Sequence, residues 1–137
     1  MKEGKLQIYC GNGKGKTTAA IGQAIREASK GRSVFIVQFL KGKQEEISFI
    51  KRLEPEIKLF RFQKREEAFE NQEEIPNLKN GLNFARKVLA TGECDVLILD
   101  EVLGLPEREI ATLEELHSLL EAAENTDLIF TGIRLYP

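Results

Sequence analysis

The sequence predicts an α/β fold of three layers, in which helices cover both faces of a mostly parallel β-sheet of five or more strands. Short apolar runs alternate with longer segments of helical periodicity, a pattern typical of strand–helix–strand units. Three of the runs, beginning at Val34, Val96 and Leu128, are continuously apolar, as expected of strands buried on both faces. These three strands are therefore predicted to lie at the centre of the sheet.

Local signals set the predicted bounds of each element. Strands are predicted over residues 6–10, 34–40, 57–62, 96–99 and 128–131. The first helix begins near Thr17 and ends at Gly31, and the second begins around Pro76 and ends at Gly92. The third follows a capping-box pattern that starts at Thr112. The predicted buried stripes are Ala20, Ile21, Ala24, Ile25 and Ala28 on the first helix, Leu78, Leu82, Ala85 and Leu89 on the second, and Leu116, Leu120 and Ala123 on the third.

Length and composition indicate one soluble domain over residues 1–137. The chain is 42% apolar and 31% charged, and its formal net charge of −2 gives no general attraction to nucleic acid. No apolar run approaches the ~20 residues of a membrane span, and the N-terminus lacks the apolar core of a signal peptide. We therefore expect a cytoplasmic protein without nucleic-acid or membrane partners. Cys10 and Cys94 are expected to be reduced and buried, and His117 to lie on the surface.

The most informative segment is GNGKGKTT at residues 11–18, which joins the first strand to the first helix. Closely spaced glycines let backbone N–H groups converge on an anion, and the start of a helix adds its positive dipole end. Lys16 can span the outer phosphates, and the hydroxyl of Thr17 can coordinate Mg²⁺. The segment departs from the strict phosphate-loop pattern, because Cys10 stands where a glycine is expected. A glycine-rich turn without a ligand is the alternative, and a nucleotide site is favoured.

A second set of polar residues follows other strands of the predicted sheet. Asp100 and Glu101 end a buried strand, where their carboxylates can bind a metal ion or position water. Lys41 follows the second strand on the same edge and can add a cation to a polyphosphate. The pair Thr131 and Gly132 can approach phosphates, and a simple strand-ending turn explains it equally well. The Asp-Glu strand end makes the predicted P-loop NTPase-like fold RecA-like.

Four segments together resemble the P-loop type of ATP:corrinoid adenosyltransferase. They are residues 11–20 (GNGKGKTTAA), 37–42 (VQFLKG), 97–102 (LILDEV) and 130–132 (FTG). The resemblance implies that cobalt(I) of a reduced corrinoid attacks the 5′-carbon of ATP and expels triphosphate. It also implies a homodimer and a flavodoxin-like or other reductase that supplies cobalt(I).

The resemblance assigns roles to particular residues. Lys14, Lys16 and Lys41 would stabilise the charge of the leaving triphosphate, and Thr17, Asp100 and Glu101 would bind Mg²⁺. The nucleotide-binding set would be Gly11, Asn12, Gly13, Lys14, Gly15, Lys16, Thr17, Thr18 and, at the nucleoside end, Arg26.

The chain also departs from that family. It contains no tryptophan, so the aromatic cover of the corrinoid would fall to Phe62 and Phe69, with Phe60 as a further candidate. The arginine of the family's Thr-Gly-Arg is displaced by one residue to Arg134, and a C-terminal segment of the family is expected to be missing after Pro137. Two alternatives stay open: an ATP or GTP hydrolase or phosphotransferase, and a non-catalytic ATP-binding corrinoid carrier.

Overall fold

Five parallel strands form the central sheet of the computed structural model, which describes residues 6–10, 15–39, 52–62, 74–100, 102, 112–123 and 125–132. The strands are β1 (Leu6–Cys10), β2 (Val34–Gln38), β3 (Ile57–Arg61), β4 (Val96–Asp100) and β5 (Asp127–Gly132). The helices are α1 (Gly15–Ser29), α2 (Glu74–Thr91) and α3 (Leu113–Ala122). Element types and their order agree with the sequence prediction.

The strand order is β1-β5-β4-β2-β3, and every neighbouring pair is parallel. The three continuously apolar strands are central, as predicted, and β1 and β3 form the two edges. All five strands end on one side of the sheet, here called the carboxyl edge. The last strand residues on that edge are Cys10, Gln38, Arg61, Asp100 and Gly132.

Alternation along the strands gives the sheet two different core faces. One face packs against α1 and contains Val34, Ile36, Val96, Ile98 and Ile129 together with Ala20 and Ala24 of the helix. The other face packs against α2 and α3 and contains Phe35, Val37, Leu97, Leu99, Leu128 and Phe130. Successive strand residues point to opposite faces, so even-numbered residues of β2 and β4 share the α1 face. The α1 face thus carries small helical residues that let α1 lie close to the sheet.

The predicted helix ends are confirmed. Gly31 and Gly92 follow α1 and α2 with φ of 85° and 66°, the left-handed region that favours glycine. Thr112 is the N-cap of α3, and it exchanges hydrogen bonds with Glu115 in a complete capping box. These contacts satisfy backbone N–H groups that would otherwise lack partners at the helix start.

Two predicted helix stripes were partly wrong. Ile25 is 45% exposed, because the α1 face that meets the sheet is centred on Ala20 and Ala24. Leu120 is 36% exposed, and the buried pair on α3 is Leu116 and Leu119. In both helices the apolar pattern is wider than the buried face. Cys94 is buried as a free thiol, and His117 is exposed, as predicted.

Charged residues bind α1 to the sheet at the edge opposite the carboxyl edge. The guanidinium of Arg32 donates to Glu27 Oε1 at 2.6 Å and to Asp127 Oδ2 at 3.0 Å. Gln23 also donates to Glu27, at 2.8 Å. Burial alone would raise the pKa of Glu27, but hydrogen bonds from Arg32 and Gln23 and the charges of Lys30 and Arg32 lower it overall.

Among the described helices, none is long and apolar enough to cross a membrane.

Candidate functional site

The predicted phosphate cradle lies where β1 passes into α1 at the carboxyl edge. β1 ends at Cys10, and α1 begins at Gly15, so the first turn of α1 includes Lys16 and Thr17. A helix that starts at this edge directs its free N–H groups and positive dipole end towards it. The loop residues Gly11, Asn12, Gly13 and Lys14 lie outside the described residues, as do the side chains of Lys16 and Thr17.

Asp100 is the best-defined member of the candidate site. It ends β4, is 1% exposed, and accepts hydrogen bonds on both carboxylate oxygens. Thr131 Oγ1 donates to Oδ1 at 2.6 Å, and Gln38 Nε2 donates to Oδ2 at 2.9 Å. The three residues come from the neighbouring strands β5, β4 and β2. The carboxylate is therefore held from both sides by side chains of the central sheet.

These three side chains lie on the α1 face of the sheet. Val96 and Ile98 precede Asp100 at two-residue spacing, and both belong to the core beneath α1. Val34 and Ile36 likewise precede Gln38 at two-residue spacing, and Ile129 precedes Thr131 by two residues; all three belong to the same core. The polar triad thus continues the apolar α1 face to the carboxyl edge. The first turn of α1 starts from that same edge.

Backbone hydrogen bonds fix the triad's position. Phe39 N–H donates to the carbonyl of Asp100 at 3.0 Å, just beyond the last residue of β2. Phe62 N–H donates to the carbonyl of Gln38 at 3.1 Å in the same way on β3. The backbone hydrogen bonds between neighbouring strands therefore continue one residue past the ends of β2 and β3. They hold the main chain of Gln38 and Asp100 in place at the carboxyl edge.

Gln38 is the member of the triad to which the sequence reasoning assigned no role. It is 1% exposed, and among the described residues no hydrogen-bond donor reaches its Oε1. Its signal in the sequence is a single polar residue at the end of the apolar run VFIV. Thr131 was predicted either to approach phosphate or to end a strand, and the structure shows its hydroxyl donating to Asp100.

Two further predicted nucleotide residues lie on α1. Thr18 is exposed in the first turns of the helix. Arg26 is exposed in the last turn, 11 residues after Gly15 and thus about 16 Å along the helix axis. Arg26 and the phosphate loop are therefore about three helical turns apart, and the described structure does not bring them together.

An aromatic cluster occupies the carboxyl end of the edge strand β3. The ring of Phe62 is 6.4 Å from that of Phe39 and 5.8 Å from that of Phe84, and Phe60 lies 4.6 Å from Phe84. Phe62 is half-buried in this cluster. A Cβ atom at Gly81 of α2 would come within 2.7 Å of Phe39 and 2.9 Å of Phe62. The absence of a side chain at Gly81 thus allows α2 to pack directly on these rings.

Three predicted site residues, Lys41, Phe69 and Glu101, lie outside the described residues. The described part of the chain contains no group of three His, Cys, Asp or Glu residues that could hold a metal ion. Among the described residues, the neutral side chains of Gln38 and Thr131 donate hydrogen bonds to Asp100.

Comparisons with known proteins show which family the sequence resembles. The family model for ATP:corrinoid adenosyltransferase BtuR/CobO/CobP matches residues 2–137. The corrinoid adenosyltransferase of Escherichia coli K12 is 28% identical over 134 residues, which are 96% of this chain and 68% of that protein. The corrinoid adenosyltransferase CobA of Salmonella typhimurium LT2 is 31% identical over 135 residues, with the same coverage of 96% and 68%. The chain thus spans about two thirds of the length of these relatives.

A solved structure shows the same fold. The KaiC-like protein PH0186 of Pyrococcus horikoshii OT3 superposes with a TM-score of 0.62 at 21% sequence identity. The match covers 98% of this chain and 63% of that one. At this identity the likeness concerns the fold alone, and it supports the predicted α/β P-loop class.

Proposed function

The chain belongs to the ATP:corrinoid adenosyltransferase family BtuR/CobO/CobP, and we propose how its carboxyl edge carries out the reaction of an ATP:corrinoid adenosyltransferase. The cobalt(I) centre of a reduced corrinoid, a substrate, attacks the 5′-carbon of ATP. A cobalt–carbon bond forms as the C5′–O bond breaks, and triphosphate leaves with the electron pair of that bond. Cobalt is formally oxidised from the +1 to the +3 state, so electrons and atoms balance without a further reactant.

The observation that carries this proposal is the position of Asp100 on the α1 face of the sheet, at the carboxyl edge from which α1 begins. The carboxylate is buried, held by Gln38 and Thr131, and lies on the sheet face that α1 covers. Ligands of open α/β sheets collect beyond the carboxyl ends of the strands. β1 ends and α1 begins at that same edge, so the predicted phosphate loop connects them there, which supports binding of a triphosphate.

The reaction requires stabilisation of a leaving group rather than activation of a nucleophile. Charge develops on the triphosphate as the C5′–O bond breaks, and fixed N–H groups and cations lower the energy of that charge. We assign this role to the backbone of residues 11–17 with Lys14, Lys16 and Lys41. Because cobalt is the nucleophile, the site needs no protein base.

The residues at this edge fit a magnesium ion. Mg²⁺ prefers oxygen ligands and usually keeps several waters when it is bound by one or two carboxylates and substrate phosphates. Asp100 supplies a buried carboxylate, and the Oε1 atom of Gln38 is a buried acceptor without a donor among the described residues. Thr17, Asp100 and Glu101 would hold the ion. When bound, it would neutralise part of the triphosphate charge.

The corrinoid would lie against the aromatic end of β3. Phe62 is half-buried and already ordered by Phe39 and Phe84, so it presents a preformed apolar surface. Phe69 would complete the cover.

A cytoplasmic homodimer that receives cobalt(I) corrinoid from a flavodoxin-like or other reductase fits this assignment.

The test is formation of the cobalt–carbon bond. Protein, Mg-ATP and chemically reduced cobalamin are incubated without oxygen, and the cobalt(I) absorption band is followed while the product is identified by mass spectrometry. We expect the band to disappear with formation of adenosylcobalamin, and Lys16→Ala to abolish the change. A band that persists in the folded wild-type protein would contradict the proposal.

A further inference from the structure

The unsatisfied oxygen of Gln38 indicates a role that the proposed reaction does not yet use. The NH₂ group of the Gln38 amide faces Asp100, because Nε2 donates to Oδ2 at 2.9 Å. The Oε1 atom consequently faces away from Asp100.

A buried acceptor of this kind is rare in folded proteins. Nearly all buried polar side-chain atoms have a hydrogen-bond partner, and exceptions are concentrated at functional sites or at sites of bound water or ions. Gln38 Oε1 is the one buried side-chain oxygen or nitrogen without a partner within the part of the chain that the structure describes. The other two side chains of the triad, Asp100 and Thr131, are hydrogen-bonded to each other.

The Oε1 atom of Gln38 lies at the edge of the sheet where Mg-ATP is proposed to bind. Gln38 lies on the α1 face at the carboxyl edge, next to Asp100, and α1 begins at that same edge. Its backbone carbonyl is held by Phe62 N–H and its amide by Asp100, so the side chain has little freedom to turn towards another donor. A bound ligand, or the water it carries, can therefore supply the donor that this oxygen lacks.

We propose that Gln38 is a positioning residue whose Nε2 group holds Asp100 and whose Oε1 accepts a hydrogen bond from a water molecule bound to the Mg²⁺ of Mg-ATP. This inference rests on the proposed function, since it requires that the edge binds Mg-ATP. Mg²⁺ retains water ligands in most nucleotide sites, and each such water is a polarised donor. Residues that orient metal ligands in this indirect way commonly change metal affinity by about 10- to 100-fold when they are replaced.

Gln38→Met is the decisive substitution, because methionine has a similar unbranched length and removes both the donor and the acceptor. The chain offers a matched control in Gln23, whose Nε2 also donates to a buried carboxylate, Glu27, at 2.8 Å. Gln23→Met removes the same kind of hydrogen bond at the other end of α1. Gln38→Asn keeps both amide groups but withdraws them by one methylene, and it replaces Gln38→Met if that variant does not unfold cooperatively.

The measurement is calorimetric titration of each protein with ATP, once with excess Mg²⁺ and once with EDTA. We expect Gln38→Met to bind Mg-ATP at least about tenfold more weakly than the wild type, equivalent to about 1.4 kcal/mol. Its affinity for metal-free ATP should change by less than about twofold, and Gln23→Met should match the wild type in both titrations.

Different failures have different meanings. Equal losses with and without Mg²⁺ would overturn the proposal, because Oε1 would then meet the nucleotide or support the loop. Unchanged Mg-ATP affinity would overturn it as well, while leaving the proposed function intact. A folded wild-type protein that binds no ATP under either condition would overturn both.

Discussion

At the scale of single residues, Gly81 shows how one missing side chain shapes the site. It lies inside α2, where glycine is unfavourable, yet a Cβ atom there would lie 2.7 Å from Phe39 and 2.9 Å from Phe62. Because Gly81 has no side chain, α2 packs directly against the aromatic rings at the carboxyl end of β3. Gly22, by contrast, is inside α1 with nothing within 4 Å of an added Cβ.

Alanine at these two positions should therefore act in opposite directions. Gly81→Ala should destabilise the protein by about 1–3 kcal/mol through overpacking, although better helix propensity offsets part of that effect. Gly22→Ala should stabilise it by about 0.5–1 kcal/mol, since nothing obstructs the new methyl group. Chemical unfolding of both variants measures the difference. A Gly81→Ala protein as stable as Gly22→Ala would show that the rings yield without cost.

Glu27 makes the stability of the protein depend on pH. Its pKa in the folded state lies below the ordinary value of 4.5, because Arg32, Lys30 and Gln23 together outweigh the effect of burial. A group with a lowered folded pKa contributes its full stabilisation above the unfolded pKa and loses it as pH falls through the folded pKa. The contribution of Glu27 should thus be complete at neutral pH and decline below about pH 4.5.

Glu27→Gln should lower the free energy of unfolding by about 1.5–3 kcal/mol at pH 7, the range for hydrogen bonds to charged groups. The gap between wild type and variant should narrow as the pH falls below about 4.5. Denaturant unfolding at a series of pH values measures the gap. Glu121→Gln on the exposed side of α3 is the control and should change stability by less than about 0.5 kcal/mol at every pH. A pH-independent gap for Glu27→Gln would exclude the ion pair as its cause.

At the scale of elements, the helix boundaries were predictable and the buried faces less so. Gly31, Gly92 and Thr112 act through their own backbone or a residue three positions away, so the local sequence contains their whole signal. Burial of Ile25 or Leu120 depends on how the helix is rotated against the sheet. In α1, close packing of Ala20 and Ala24 against the sheet sets this rotation. The sequence of one helix does not show which of its apolar residues make that contact.

The capping box of α3 provides the test at this scale. Thr112→Ala removes the hydroxyl that accepts from Glu115 N–H and should reduce stability by about 1 kcal/mol. Thr112→Ser keeps that hydroxyl and should stay close to the wild type. Equilibrium unfolding of the two variants gives the comparison, and equal losses would point to the threonine methyl group rather than the cap.

At the scale of the whole molecule, the contacts that build the site join residues far apart in the chain. Gln38 and Asp100 are separated by 62 positions, and Asp100 and Thr131 by 31. The sequence pattern predicted every strand and placed Asp100 at the carboxyl edge, but it extended β2 to residue 40, whereas β2 ends at Gln38. It could not supply the order β1-β5-β4-β2-β3, which puts Gln38 and Thr131 on either side of that carboxylate.

The amino and carboxyl ends of the parallel strands have different chemistry. At the amino end of β5, ion pairs among Glu27, Arg32 and Asp127 connect α1 to the sheet, and their opposite charges neutralise each other. At the carboxyl edge the described polar triad consists of the Asp100 carboxylate and the neutral side chains of Gln38 and Thr131. The lysines proposed for the site belong to the segments that follow β1 and β2, with Lys16 in the first turn of α1.

The most direct test of this account is the fate of the three phosphates during adenosyl transfer. Reduced cobalamin and Mg-ATP are turned over by the protein without oxygen, and released phosphorus species are identified by ³¹P NMR and counted against adenosylcobalamin formed. We predict one intact triphosphate for each cobalt–carbon bond, because only the C5′–O bond breaks. Phosphate or diphosphate released without cobalt–carbon bond formation would contradict the account and indicate a nucleotide hydrolase.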